Sequence, residues 1–149
     1  MFLQIAMGSG LLVLNVLVLA VAALLLESAF RVMHPWLIRP PQRPKLVLLL
    51  VAVGLWVLLV LTVNIWIWAF AMFQTGVFGS MEESLYFSIE AFSTLGLGDV
   101  VPEKEWRIFA AMAAVNGLLS FGLLTALLVE ALRQVRLAQL ELRHGTDHK

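Results

Sequence analysis

The sequence contains no cysteine and little charge. Only 13% of its 149 residues are charged, and the acidic and basic residues balance at ten each. Without cysteine the chain can form neither disulfides nor thiolate metal sites. Zero net charge gives no overall basic field for binding nucleic acid. Nor does the sequence bring together a nucleophile, a base and an orienting residue, or carry a cofactor motif, so we do not expect an enzyme.

Apolar residues are what the chain has in abundance. They make up 61% of it and give a mean hydropathy of +0.93, whereas soluble domains carry about a quarter charged residues. Apolar runs at 1–26, 46–73 and 106–132 are each long enough to cross about 30 Å of hydrocarbon as a helix. The first run could be a signal peptide, but it lacks a basic start and a clear cleavage site. We therefore predict an all-α membrane protein with three transmembrane helices per subunit.

The charges that remain are distributed unevenly and predict the topology. The linker 27–45 and the tail 133–149 carry four basic residues each, while 74–105 carries six acidic residues and one lysine. Because cytoplasmic loops are enriched in Lys and Arg, we expect an external N-terminus and a cytoplasmic C-terminus. Four prolines (Pro35, Pro40, Pro41 and Pro44) predict that the linker is not a continuous helix. The tail has two readings, a helical extension or a frayed end.

The acidic segment contains a short helix followed by a glycine-containing stretch. Ser80 and Glu83 have the spacing of a capping box, which predicts a helix over 81–93. This helix is too short to cross a bilayer. A short helix and an irregular strand between two spans are typical of a re-entrant loop, which survives at membrane depth only inside protein or beside an aqueous path.

The stretch 94–98 has the composition of a carbonyl-lined ion path. Gly96 and Gly98 stand at alternate positions, and glycine readily adopts the positive φ that an alternating strand requires. Rings of backbone carbonyls can replace the hydration shell of a potassium ion, and the Thr94 hydroxyl can add an oxygen. One chain supplies one side of such a ring, so we predict a C4 homotetramer.

Residues 85–102, which contain Thr94–Asp99 (TLGLGD), resemble the pore helix and filter of the potassium-channel pore-domain family. Residues 117–126 resemble the inner helix of its two-helix bacterial members. The resemblance covers 46–132 and leaves the first helix as an addition. It implies a pore domain with outer helix 46–73, pore helix 81–93, filter 94–98 and inner helix 106–132, located in a bacterial inner membrane.

The resemblance also implies site residues. Potassium would bind at the carbonyls of Thr94, Leu95, Gly96 and Leu97 and at the Thr94 hydroxyl, with Gly98 at the outer mouth. On the inner helix, the implied gating or cavity positions are Asn116, Gly117, Phe121 and Thr125. Gly117 could instead be a site of close helix packing, and Asn116 could bond a neighbouring helix. Apart from K⁺ ions we expect no cofactor, no small-molecule substrate and no nucleic acid; the expected partners are further copies of the chain and lipid.

Two positions depart from the family pattern. Leu97 stands where the family has tyrosine, and Phe87 stands at the pore-helix position of the aromatic donor that supports that tyrosine. An apolar contact therefore replaces a hydrogen-bonded one. We expect a potassium-selective channel with a more deformable filter; the alternatives are a nonselective cation channel and a nonconducting membrane subunit of the same fold.

Glu90 and Asp99 form the second implied site. The resemblance places these two carboxyls close together behind the filter. Two carboxylates that share a buried site cannot both ionise cheaply, so one would hold a proton and bond the other. We expect this pair to brace the filter. The alternative is that Glu90 meets only backbone amides.

Overall fold

The computed structural model describes residues 2–37 and 42–146, and within them the chain is entirely helical or irregular. It forms α1 (Phe2–Leu37), α2 (Gln42–Gln74), α3 (Met81–Phe92) and α4 (Arg107–Thr146). Segments 2–33, 47–74 and 107–134 of α1, α2 and α4 are long and apolar enough to cross a membrane. The predicted all-α class and the three candidate transmembrane helices are confirmed.

The helices extend further than the proline pattern predicted. α1 continues past Pro35 to Leu37, and α2 begins at Gln42 with Pro44 in its first turn. Pro35 costs α1 only one hydrogen bond near its end, and the N–H that Pro44 lacks has no helical partner in a first turn. Residues 27–37 and 42–45 of the predicted linker are therefore helical, and its remaining prolines, at 40 and 41, lie outside the described residues.

α4 also exceeds its predicted end. It continues to Thr146. As far as the structure describes the tail, it is therefore a helical extension and not a frayed end.

The described residues form three apolar clusters that hold the helices together. The first cluster joins α2, α3 and α4 through buried side chains, and α1 packs against it with partly buried ones; its main members are Trp68, Met72, Phe92, Phe109, Ala110 and Ala113, with Met7, Leu11 and Leu12 from α1. The second cluster consists of Leu19, Ala22, Val60, Leu61 and Leu124. The third consists of Leu49 and Val53 of α2, with partly buried side chains of α1 and α4 packed against them. All three clusters include α1, so the additional helix packs against α2 and α4 as part of the same core.

The outside of the chain is also apolar. Large side chains such as Leu24, Leu55 and Leu118 are each more than half exposed, and they occur on all three long helices. Soluble monomers rarely expose apolar patches of this extent. Such a surface suits contact with lipid and with other copies of the chain.

Candidate functional site

The N-terminus of α3 is fixed by the predicted cap. Ser80 has extended backbone angles (φ −135°, ψ 156°), and its hydroxyl accepts a hydrogen bond from the Glu83 amide at 3.1 Å. Glu82 and Glu83 lie in the first turn, where negative charge is favourable near the positive end of the helix dipole. The cap is confirmed, and α3 ends at Phe92, one residue before the predicted end. The cap and the acidic first turn therefore fix where α3 begins.

The backbone of 94–98 alternates in handedness. φ is positive at Thr94 (56°), Gly96 (62°) and Gly98 (76°), so every second residue is left-handed. Glycine adopts this conformation readily, but for Thr94 it costs about 1–2 kcal/mol. The Thr94 amide donates to Ala91 O at 3.1 Å and the Leu95 amide to Glu90 O at 3.1 Å, which fastens the start of the segment to the end of α3. Strain of this kind in non-glycine residues clusters at functional sites.

Glu90 supports the far end of the segment from behind. Its side chain is 6% exposed, and Oε1 accepts a hydrogen bond from the Gly98 amide at 3.0 Å. Oε2 is buried and has no hydrogen-bond partner. Within the described residues, no hydrogen bond joins Glu90 to Asp99, so the arrangement is the alternative in which Glu90 meets a backbone amide.

Asp99 instead forms a hydrogen bond with Tyr86, a residue that was not among the predicted site residues. The Tyr86 hydroxyl donates to Asp99 Oδ2 at 2.8 Å, and the Val100 amide donates to Oδ1 at 3.0 Å. The hydrogen bond to Asp99 raises the pKa of Tyr86 above its ordinary value of 10.0, and desolvation and the negative charges of Asp99 and Glu90 add to the shift. Tyr86 is the only tyrosine of the chain and lies one helical turn before Glu90, a signal that could have identified it.

The other predicted support, Phe87, packs against Phe78 and also lines the groove behind residues 94–98. Its ring centroid lies 5.1 Å from that of Phe78, at an interplanar angle of 41°, and the side chain packs against the first apolar cluster. Leu97 is 62% exposed and Leu95 63% exposed. The side chains of the segment therefore receive little cover from their own chain.

The four site residues predicted on α4 differ in burial and in contacts. Asn116 is fully buried inside the chain, whereas Phe121 is 44% exposed and Thr125 is also exposed. A Cβ on Gly117 would lie 2.5 Å from Phe92 Cα and 2.7 Å from Phe92 O, so α4 touches the end of α3 here. The close packing expected as one of two roles for Gly117 is thus present, and bending of α4 at this residue stays a prediction. The burial of Asn116 does not agree with a position on a cavity wall.

No group of three or more His, Asp or Glu side chains in the described residues could hold a metal ion. Any cation at this site would have to rely on backbone oxygens and the Thr94 hydroxyl. An open groove runs behind the segment and is lined on the α4 side by Ala110, Ala111 and Ala114.

Comparison with known proteins finds one family. The family model described as ion channel matches residues 47–134, which is more than half of the chain. The matched region contains most of α2, all of α3, the Thr94–Asp99 segment and the apolar part of α4. It does not include α1. No curated protein and no solved structure matches the chain.

Proposed function

The chain belongs to the ion-channel family of the two-helix, pore-loop type, and we propose that it conducts potassium ions passively as a homotetramer. In this arrangement α3 re-enters the membrane without crossing it, and residues 94–98 of each copy line the axis. We further propose that the C-terminus lies in the cytoplasm and the N-terminus outside, an orientation that the basic flanks of the spans favour, and that the membrane is a bacterial inner membrane.

The alternating backbone is the observation that carries this proposal. Left-handed φ values at Thr94, Gly96 and Gly98 alternate with ordinary ones, and a strand that alternates in this way turns successive carbonyls toward one side. The carbonyls of residues 94–97 and the Thr94 hydroxyl then form the oxygen rings that replace the water around a potassium ion. The left-handed backbone of Thr94 supports the proposal, because Thr94 stands two residues before Gly96 and so extends the alternation of Gly96 and Gly98.

The exposure of the segment supports the assembly. Leu95 and Leu97 are largely uncovered in one chain, and the groove beside them is lined with small side chains of α4. Copies arranged around an axis would cover both, because each would bring its own apolar surface to the neighbour. A ring of oxygens also requires such closure, and potassium filters use four loops.

Support of the filter is uneven along its length. Its outer end is held by the Glu90–Gly98 and Tyr86–Asp99 hydrogen bonds, whereas Leu97 offers no side-chain hydrogen bond. We therefore propose that potassium remains preferred over sodium, because the ligands are backbone oxygens, and that deformation is easiest at Leu97. In this account Tyr86 and Glu90 perform the bracing role, each with a separate partner.

Reversal potentials of the purified protein in planar bilayers test the proposal. With opposite gradients of potassium and sodium across the bilayer and both ions present on each side, we expect the current to reverse near the potassium equilibrium potential. A potential that follows both ions equally would favour the nonselective alternative, and absence of current would favour the nonconducting one.

Two glycine variants provide the matched control. Gly96→Ala should abolish selective current, because alanine is strained at φ 62°. Gly54→Ala should conduct as the parent does, because its added methyl group meets no atom within 4 Å. Equal selectivity in both variants would contradict the assigned role of residues 94–98.

A further inference from the structure

The chain contains three asparagines, Asn15, Asn64 and Asn116. They lie on α1, α2 and α4, so each transmembrane candidate contributes one. All three are 0% exposed. Polar carboxamides in the middle of apolar helices are costly in a membrane, and full burial of every asparagine suggests that they share a role.

Each asparagine lies, along its helix, between members of the first and second apolar clusters. On α1, Asn15 follows Leu12 of the first apolar cluster and precedes Leu19 of the second. The order is the same along α4, where Asn116 and Ser120 lie between Ala113 and Leu124.

α2 runs in the opposite direction to α1 and α4, and the order of the clusters along it is reversed. Its Asn64 lies between Leu61, in the second cluster, and Ile65, which packs against the first cluster. This common order indicates a polar layer between the first and second apolar clusters. Ser120 is also 0% exposed and completes the layer on α4.

The layer contains unpartnered hydrogen-bonding atoms from all three helices. Asn15 Nδ2 donates to Leu11 O at 3.0 Å and Asn64 Nδ2 to Val60 O at 2.7 Å, which leaves both Oδ1 atoms without a partner. Asn116 has no partner for either side-chain atom, and Ser120 Oγ has none. The unpaired acceptors on α1 and α2 thus match unpaired donors on α4.

We propose that Asn15, Asn64, Asn116 and Ser120 bind ordered water and form with it one hydrogen-bonded layer that fixes α1 against α2 and α4. Buried water typically bonds to about three polar groups that are otherwise unsatisfied, and this layer offers both donors and acceptors. Lipid cannot satisfy these groups, so each helix that supplies one is held in a defined register by the others.

The position of the layer gives α1 a specific relation to α4. Asn116 directly precedes Gly117, whose backbone packs on Phe92 at the end of α3. The additional helix is therefore anchored to α4 at the level where α4 contacts α3. This inference depends only on the fold and would stand if the protein conducted another ion.

Selective ¹⁵N labelling of asparagine in the full-length protein tests the layer, because only three carboxamide signals arise. We expect protection of all three from hydrogen exchange and direct magnetisation transfer from water to the Asn116 carboxamide. Asn116→Leu should shift the signals of Asn15 and Asn64 and reduce their protection. Ser120→Ala, a milder change that keeps the carboxamides, should shift the Asn116 signal even if Asn116→Leu fails to fold.

Thr62→Val is the matched control. Thr62 is an exposed polar residue of the same apolar helix as Asn64, and its hydroxyl bonds Leu58 O within that helix. Its replacement should leave all three carboxamide signals in place. The proposal is overturned if the signals respond independently to the layer variants, or if none of the carboxamides receives magnetisation from bound water.

Discussion

Gly117 is the position at which α4 comes closest to the end of α3, and Gly117→Ala tests that contact. The added methyl carbon would lie 2.5 Å from Phe92 Cα, 2.7 Å from Phe92 O and 3.0 Å from Phe92 C. Carbon atoms prefer separations of about 3.5–4.0 Å, so the two backbones would have to separate by roughly 1 Å. No side-chain rotation can relieve the clash, because all three atoms belong to the backbone.

The expected cost follows from two opposing effects. Overpacking costs about 1–3 kcal/mol, and a rigid backbone neighbour favours the upper part of that range. Alanine recovers about 0.5–1 kcal/mol of helix propensity relative to glycine. We therefore expect Gly117→Ala to destabilise the protein by about 1–2.5 kcal/mol, and to disturb residues 94–98 because Phe92 lies directly before them.

Thermal unfolding in detergent, together with single-channel recording, measures both effects. Gly54→Ala serves as the control, since its methyl group meets nothing within 4 Å, and it should be neutral or slightly stabilising. If Gly117 were only a point of bending in α4, alanine there would change opening while leaving stability and conductance intact. That result would refute the close-packing account.

Two further predictions concern Tyr86 and α1. Ultraviolet titration of the single tyrosine should give a midpoint above the ordinary pKa of 10.0, and Asp99→Ala should lower it; the stabilisation from this pair is present below the ordinary pKa and is lost as pH rises through the raised one. An unchanged midpoint would exclude the Tyr86–Asp99 hydrogen bond. A Gly8→Cys, Met112→Cys double variant should form an intrachain disulfide on oxidation, detected by mass spectrometry, because the two Cβ atoms lie 3.5 Å apart. Gly10→Cys with Met112→Cys should not, since a Cβ at Gly10 meets nothing within 4 Å, and equal yields would contradict the α1 packing.

The features that could be predicted from the sequence are those with local causes. Apolar runs, the cap at Ser80 and the glycine alternation each depend on residues a few positions apart. The left-handed Thr94 extends that alternation but carries a side chain, so composition alone does not identify it. The proline pattern does not fix the bounds of the helices, since α1 continues past Pro35 and α2 begins before Pro44.

The remaining features depend on which faces of the helices meet. Tyr86 pairs with a residue 13 positions away across the end of α3, so its partner depends on the path of the chain after that end. Asn116 lies on an apolar helix, where periodicity does not distinguish a cavity wall from an interior face. The full burial of Asn116 in the structure shows that its face of α4 is interior.

The central claim is that residues 94–98 of four copies enclose a path for potassium. A structure of the assembled protein determined in potassium tests it most directly. We predict density with four-fold symmetry and ion peaks on the axis, level with the carbonyls of residues 94–97. An assembly of different symmetry, or an axis without ions beside these carbonyls, would contradict the account.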